Sequence, residues 1–301
     1  MTAPTRPEPF GVELRDVTLS FGKDEKHPAL DGLSLQVRPG TITGLLGRNG
    51  AGKTTALSLI AAMRRPDAGT VLVDGEDPFE NAWAMAGTQL VRESGDTIAA
   101  TKVKDTLGYY AELREHWDAD LATGLVDLFE IDLRKPPESL SRGKRSALGA
   151  AIGLASRAPL TIFDEVYLGM DAPSRYAFYD ALVEDYTEHP RTIVLSSHLI
   201  DEVERIFEDV VIVDKGRVLL AESVESVRGR GVSLTGAAAV VEQFVDGRRV
   251  LARQRLGGTA QVTLFGALDD AERTAATEAG LELGAVPLQD LFVHLTREER
   301  S

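Results

Sequence analysis

The sequence predicts an α/β fold with a mostly parallel sheet, and two observations predict it. Between residues 41 and 213, short apolar runs with strand character alternate with segments of helical periodicity, which is the pattern of repeated βαβ units. In addition, a glycine-rich loop, Gly47 to Gly52, lies between one such strand and one such helix. That is the context in which loops of this kind cradle phosphate.

The elements follow in order. Residues 1–10, with three prolines and no apolar core, read as a flexible lead and not as a secretory signal. Val12 to Phe21 and Leu33 to Val37 alternate as strands, and Pro39-Gly40 marks a turn. Thr41 to Leu46 is a short apolar strand entering the glycine loop. Lys53 to Arg65 has helical periodicity, ends in basic residues and stops at Pro66. Gly69 to Gly75 reads as a strand closing in an Asp-Gly turn, and Thr88 to Val91 as another strand. Residues 100–157 carry apolar positions at three- and four-residue spacing and read as helical. Leu160 to Phe163, Thr192 to Ser196 and Val210 to Val213 are strands. Pro173 to Glu188 and Leu199 to Phe207 are helices. Beyond Arg228 the composition shifts. Gly229 to Gly236 is glycine-rich, Val250 to Phe265 alternates, and Asp269 to Ala279 and Leu288 to Leu295 read as helices. Residues 230–301 are therefore expected to be a small appended β/α unit. Every motif described below lies upstream of it, so a chain ending near Arg228 is expected to fold.

Composition narrows the function. The 301 residues contain no cysteine, which excludes disulfides, thiolate metal sites and a cysteine nucleophile. The net charge of −14 opposes a broad nucleic-acid or anionic-lipid face. The segment from Gly229 carries eight basic and ten acidic residues, so most of the excess lies upstream. No stretch approaches the apolar length of a membrane span; Ala147 to Phe163 is broken by Arg157 and Pro159. If this chain serves a membrane, another chain spans it.

Three segments carry chemistry. Gly47-Arg48-Asn49-Gly50-Ala51-Gly52-Lys53-Thr54 fits G-x-x-x-x-G-K-[ST]. Its backbone N–H groups can converge on phosphate oxygens, Lys53 can reach the β- and γ-phosphates, and the Thr54 hydroxyl can ligate Mg²⁺. Thr55 extends the same helix start. Leu160 to Phe163 delivers Asp164 and Glu165 at the carboxyl end of a strand, where α/β sheets bind ligands. Asp164 can hold Mg²⁺ through water and Glu165 can polarise an attacking water; a plain solvated strand end is the alternative. His198 follows another strand of the same sheet, where it can meet a γ-phosphate, although a lone histidine is more often structural.

Together these segments resemble the nucleotide-binding subunit of an ATP-binding cassette (ABC) transporter, over about residues 11–228. Gly47 to Thr54 matches the Walker A loop and Leu160 to Glu165 matches Walker B. Leu140-Ser141-Arg142-Gly143-Lys144 stands where the family has Leu-Ser-Gly-Gly-Gln. Gly169-Met170-Asp171 matches the D-loop and Ser196-Ser197-His198 the switch histidine. The resemblance implies a P-loop NTPase core with an antiparallel β subdomain and a helical subdomain at about 94–157. It implies ATP and Mg²⁺ as ligands, with Glu165 and His198 catalytic. A second copy would present Ser141 and Gly143 to the bound ATP, and a membrane permease would be a separate chain. It also places Phe21 against adenine, a strand-end core phenylalanine being the alternative. The ending, Leu288 to Val293, is similar to the C-terminal extension of exporter-type (ABC-2-like) subunits. The implied location is the inner membrane face, through the permease. The other reading is a soluble ABC ATPase of assembly or regulatory role.

Two motifs depart from the family. In the signature, Gly becomes Arg142 and Gln becomes Lys144, which puts an arginine where a glycine-only conformation is a concern and two cations where a partner's phosphate would arrive. The helix after it is expected over Ser146 to Ser156. In the Q-loop, the helix start is Thr101-Lys102-Val103-Lys104-Asp105, and Glu93 is favoured for the family's Gln because the strand ends just before it. A carboxylate there can still ligate Mg²⁺; Gln89 is the alternative.

Overall fold

A computed structural model describes residues 8–22, 28–93, 97–98, 102–266 and 268–298. Most of the lead, and Thr101 of the Q-loop helix start, lie outside the described residues. In chain order the elements are β1 (Val12–Leu19), β2 (Leu30–Val37), β3 (Ile42–Leu46), α1 (Lys53–Ile60), β4 (Ala68–Val73), α2 (Ala82–Ala86), β5 (Thr88–Arg92), α3 (Val103–Leu113), α4 (Ala119–Leu128), α5 (Arg142–Ala155) and β6 (Leu160–Asp164). They continue with α6 (Ala172–Glu188), β7 (Thr192–Ser197), α7 (Ile200–Val203), β8 (Asp209–Asp214), β9 (Arg217–Ser223), α8 (Val224–Arg228), β10 (Gly231–Ala237) and α9 (Ala238–Phe244). The last are β11 (Val250–Leu256), β12 (Thr259–Phe265), α10 (Asp270–Glu278), β13 (Glu282–Gly284) and α11 (Leu288–Glu298).

A six-stranded sheet in the order β5-β6-β7-β3-β8-β9 forms the centre. Its first five strands run parallel, and β9 closes one edge antiparallel to β8. Successive side chains point to opposite faces, and both faces are covered, as parallel strands require. Ile162, Val194 and Val211 pack toward the antiparallel sheet β2-β1-β4 and α1. Phe163, Leu195 and Ile212 pack toward α5 and α6 in the larger cluster. The helical region of 103–155 holds α3, α4 and α5, with Asp118 and Ser141 capping the last two.

Several elements differ from expectation. Phe10, placed in the lead by sequence, is buried; its N–H donates to Pro159 O at 3.3 Å and its ring lies 4.5 Å from Trp83. Helix α1 ends at Ile60 instead of Arg65, because Ala62 turns left-handed at φ 57°. The helix expected over 199–207 is one four-residue turn, α7, followed by a 3-10 turn at 204–206.

Residues 230–298 build a four-stranded antiparallel sheet, β11-β12-β10-β13, with its own apolar cluster around Leu234, Val241 and Val262. The last helix leaves that cluster. Leu288, Leu291 and Phe292 pack into the larger central one with Ile200 and Val203, and Leu288 N–H donates to Glu204 Oε2 at 3.1 Å.

Candidate functional site

Parallel register gathers the chemistry at one edge. Asp164 lies opposite Ser196, and Leu46 opposite Ser197, so the carboxyl ends of β6, β7 and β3 are side by side. The phosphate loop leaves β3 there and α1 starts from it, with Gly52 at φ 106°, which suits glycine. Arg48, Asn49, Gly50 and Thr54 are exposed; Thr55 is half-buried and Ala51 is buried. Arg48, Gly50, Ala51 and His198 border a cavity of about 530 Å³, whose far rim includes Phe292 of α11.

Lys53 is only 4% exposed and folds over its own loop. Its ammonium donates to Gly47 O at 2.8 Å and lies 3.0 Å from Glu165 Oε1. The same carboxylate oxygen is 3.4 Å from His198 Nδ1. Glu165 sits at φ 51°, a conformation a non-glycine residue adopts only when held. The holding group is Ser196, whose hydroxyl accepts from Glu165 N–H at 3.0 Å and donates to Asp164 Oδ1 at 2.6 Å. Asp164 is thereby buried and fixed through one oxygen. The structure brings Lys53, Asp164, Glu165 and His198 together at this edge, and sequence reading missed Ser196 as the clamp between strands.

A second residue it missed is Tyr167. Its ring is buried behind the edge, and its hydroxyl accepts from Ser197 Oγ and from His198 N–H, both at 3.1 Å. Burial pushes this phenol up to about 12. The run Val-Tyr-Leu-Gly at 166–169 carries no polar pattern that would have marked it.

The signature segment lies elsewhere. Helix α5 begins at Arg142, four residues earlier than expected, and Ser141 caps it by accepting from Lys144 N–H at 3.3 Å. Arg142 takes an ordinary backbone conformation, so no glycine-only angle is violated. Gly143 is needed for space, since a Cβ there would meet Gly169 O at 2.7 Å. Each of the two cations has a partner within the chain, although Arg142 stays exposed. Arg142 forms an ion pair with Glu93, while Lys144 donates to Phe129 O and lies 3.6 Å from Glu130.

Glu93 thus follows β5 as expected, next to the strand end where Arg92 pairs with Asp164, but its carboxylate is committed to Arg142. The expected metal ligand is an ion-pair partner here, because the guanidinium sits on it. Gln89 is buried within β5 opposite Thr161, short of the sheet edge. Phe21 is 54% exposed with the Arg64 guanidinium 4.9 Å from its ring, which removes the core-phenylalanine reading.

The ABC transporter family model matches residues 30–167. The chain carries an ABC transporter domain over these residues, and the proteins it is similar to are ABC transporter ATP-binding subunits. This ABC chain is 29% identical over 228 residues to the methionine import ATP-binding protein MetN of Caulobacter vibrioides, covering 72% of this chain and 68% of that one. It is 29% identical over 313 residues to the daunorubicin resistance ATP-binding protein DrrA3 of Streptomyces coeruleorubidus, covering 95% and 98%. Among solved structures, an ATP-binding subunit of an ABC transporter superposes with a TM-score of 0.63 at 22% identity, covering 72% of this chain and 91% of that one. A dimeric ATP-binding cassette in a post-hydrolysis state bound to ADP and Pi gives 0.61 at 20% identity, covering 71% and 98%. Both share the ABC ATPase fold, and the ABC chain is an ATP-binding ATPase subunit of a membrane transporter. Among the described residues, no helix is long and apolar enough to cross a membrane.

Proposed function

We propose that this chain hydrolyses MgATP to drive a separate membrane permease, and that the system is an exporter. The observation that carries the hydrolytic reading is the convergence of Lys53, Asp164, Glu165 and His198 at one sheet edge. Exporter type is favoured by the alignment with the daunorubicin resistance protein. It spans 95% of the chain and so takes in the extension at 230–301, whereas the alignment with the methionine importer spans 72%.

The residues divide the work as follows. The backbone of Gly47–Thr55 and the start of α1 receive the phosphates, with Lys53 moving from Glu165 onto the β/γ oxygens. Glu165, released from Lys53, accepts a proton from the attacking water. His198 contacts the γ-phosphate, and exposed Phe21 offers its face to adenine. Thr54 and Asp164 offer hard oxygen donors, a hydroxyl and a fixed carboxylate, which suit Mg²⁺; when bound, the ion neutralises phosphate charge. Ser141 is exposed and its segment contacts Glu93, Gly169 and Phe129, which suits presentation of Ser141 and Gly143 to ATP on a second copy. The chain would then sit on the cytoplasmic membrane face through the permease, without a span of its own and without nucleic acid.

Glu165→Gln tests this. The variant should bind ATP, accumulate as a nucleotide-bound dimer by size exclusion, and lose hydrolysis by at least about a hundredfold. Hydrolysis at the wild-type rate removes the role given to Glu165.

A further inference from the structure

We propose that Tyr167 is a positioning residue that selects the tautomer of His198, holding ring Nδ1 as an acceptor and so placing the ring proton on Nε2. The inference rests on the reading of His198 as the γ-phosphate contact, and it adds a residue to that function.

The argument is one of hydrogen-bond inventory. A tyrosine hydroxyl has one proton to give and two lone pairs to receive. Both lone pairs of Tyr167 are in use, one by Ser197 Oγ–H at 3.1 Å and one by His198 N–H at 3.1 Å. The Ser197 hydroxyl donates to Tyr167, and its oxygen accepts from Leu199 N–H at 2.9 Å, so Ser197 accepts from the backbone and gives its own proton to the phenol. The phenol proton then needs an acceptor, and His198 Nδ1 stands 3.4 Å away. Such contacts are often long before substrate binds.

Glu165 Oε1 competes for the same nitrogen at 3.4 Å, where it would ask Nδ1 to be a donor. Two facts decide against it. Glu165 already accepts from Lys53 at 3.0 Å, so it has a partner without His198. Tyr167 is buried, and a proton on Nδ1 would leave the phenol proton without an acceptor in a dry site, which is the more costly arrangement. Its raised pKa, from burial, keeps the phenol protonated and a donor at neutral pH. With Nδ1 accepting, the ring's N–H is on Nε2, the nitrogen left to face the cavity that His198 shares with the phosphate loop. Tyr167 also ties the loop after β6 to the end of β7, so it fixes ring position and ring proton together.

The test uses the full-length protein, ¹⁵N-labelled, with long-range ¹H–¹⁵N spectra of the imidazoles and His198→Gln to identify the His198 signals. In the wild type, Nδ1 of His198 should resonate as an unprotonated nitrogen. In Tyr167→Phe it should move toward the protonated frequency as Glu165 takes over. The kcat for ATP should fall about tenfold, the cost of one lost hydrogen bond at the ring, with KM for ATP within about twofold. A wild-type His198 already protonated at Nδ1 overturns the proposal, and that spectrum decides even if the variant does not fold. An unchanged tautomer in a folded Tyr167→Phe, whatever its kcat, also overturns it. A wild type without ATP turnover sinks the hydrolytic reading instead, and leaves the tautomer result standing on its own.

Discussion

The carboxyl edge of the central sheet and the start of α5, the two halves of the proposed ATP site, are built in opposite ways. At the sheet edge every functional group is interlocked. Ser196 holds Asp164 and Glu165 together, Lys53 leans on Glu165, and Tyr167 pins the loop that carries His198. Lys53, Asp164, Glu165 and His198 are the residues that the family resemblance implies, while Tyr167 lies outside its motifs. At the start of α5 the side chains are exposed, and the work falls to backbone N–H groups, a serine cap and the helix end. There the pattern departs twice, at Arg142 and Lys144, and Arg142 meets Glu93, the departing residue of the Q-loop. A site made of side-chain chemistry tolerates little change. A site made of backbone tolerates change when charges are balanced nearby.

Removing the interlock should have the largest effect. Lys53→Ala deletes the ammonium that serves phosphate in both ground and transition state, so ATP affinity and turnover should fall together, turnover by about a hundredfold or more. Calorimetric titration and phosphate release measure both; an unchanged pair of values breaks the comparison at its root. Ser141→Arg acts on the other region. It should leave ATP binding to the monomer intact while abolishing ATP-dependent dimerisation, seen by light scattering, and with it hydrolysis. If the wild type neither dimerises nor turns over, and Ser141→Arg changes nothing, α5 is not half of a working site in this chain alone.

The extension offers a smaller, thermodynamic test. Ending the chain at Arg228 removes Leu288, Leu291 and Phe292 from the central cluster and bares Ile200 and Val203. Each buried apolar side chain of this size is worth about 2 kcal/mol, an upper figure given a partly compact unfolded state. The truncated protein should therefore fold with a melting temperature lower by at least several degrees. A melting curve identical to that of the full chain would mean α11 adds nothing to the core. The smallest effect is expected at the paired departures. Restoring family residues singly, Glu93→Gln or Arg142→Gly, should each lower hydrolysis more than both changes together. Because Arg142 is exposed and Glu93 is only half-buried, the coupling should be no more than about 1 kcal/mol. Strict additivity in that cycle would show that the two substitutions are independent.

Much of this was legible in the sequence where the signal is local. Gly47 to Thr54 is contiguous, and an apolar strand ending in Asp164-Glu165 announces its own position at a sheet edge. What was not legible depends on distance along the chain. Nothing near Glu93 points to Arg142, and nothing in the 166–169 run singles out Tyr167. The glycine-rich stretch at 229–236 was illegible in another way. It reads only as glycine-rich, with no element assigned, but β10 is an inner strand of the extension sheet. Gly231 is required there for close packing, since a Cβ would lie 2.1 Å from Leu264 O. Composition cannot tell a glycine chosen for freedom from one chosen for lack of bulk.

The strand order has a consequence for biosynthesis. Strand β3 is made early, yet its two neighbours in the sheet are β7 and β8. Its five residues are all buried in the finished fold. On the ribosome, both edges of this apolar strand stay unpaired until Thr192 and beyond have been added. At roughly 5–20 residues per second that interval is on the order of ten seconds. Unpaired apolar strands are the segments that aggregate, so the nascent chain is most in need of a chaperone just after its phosphate loop has emerged and long before that loop can bind anything.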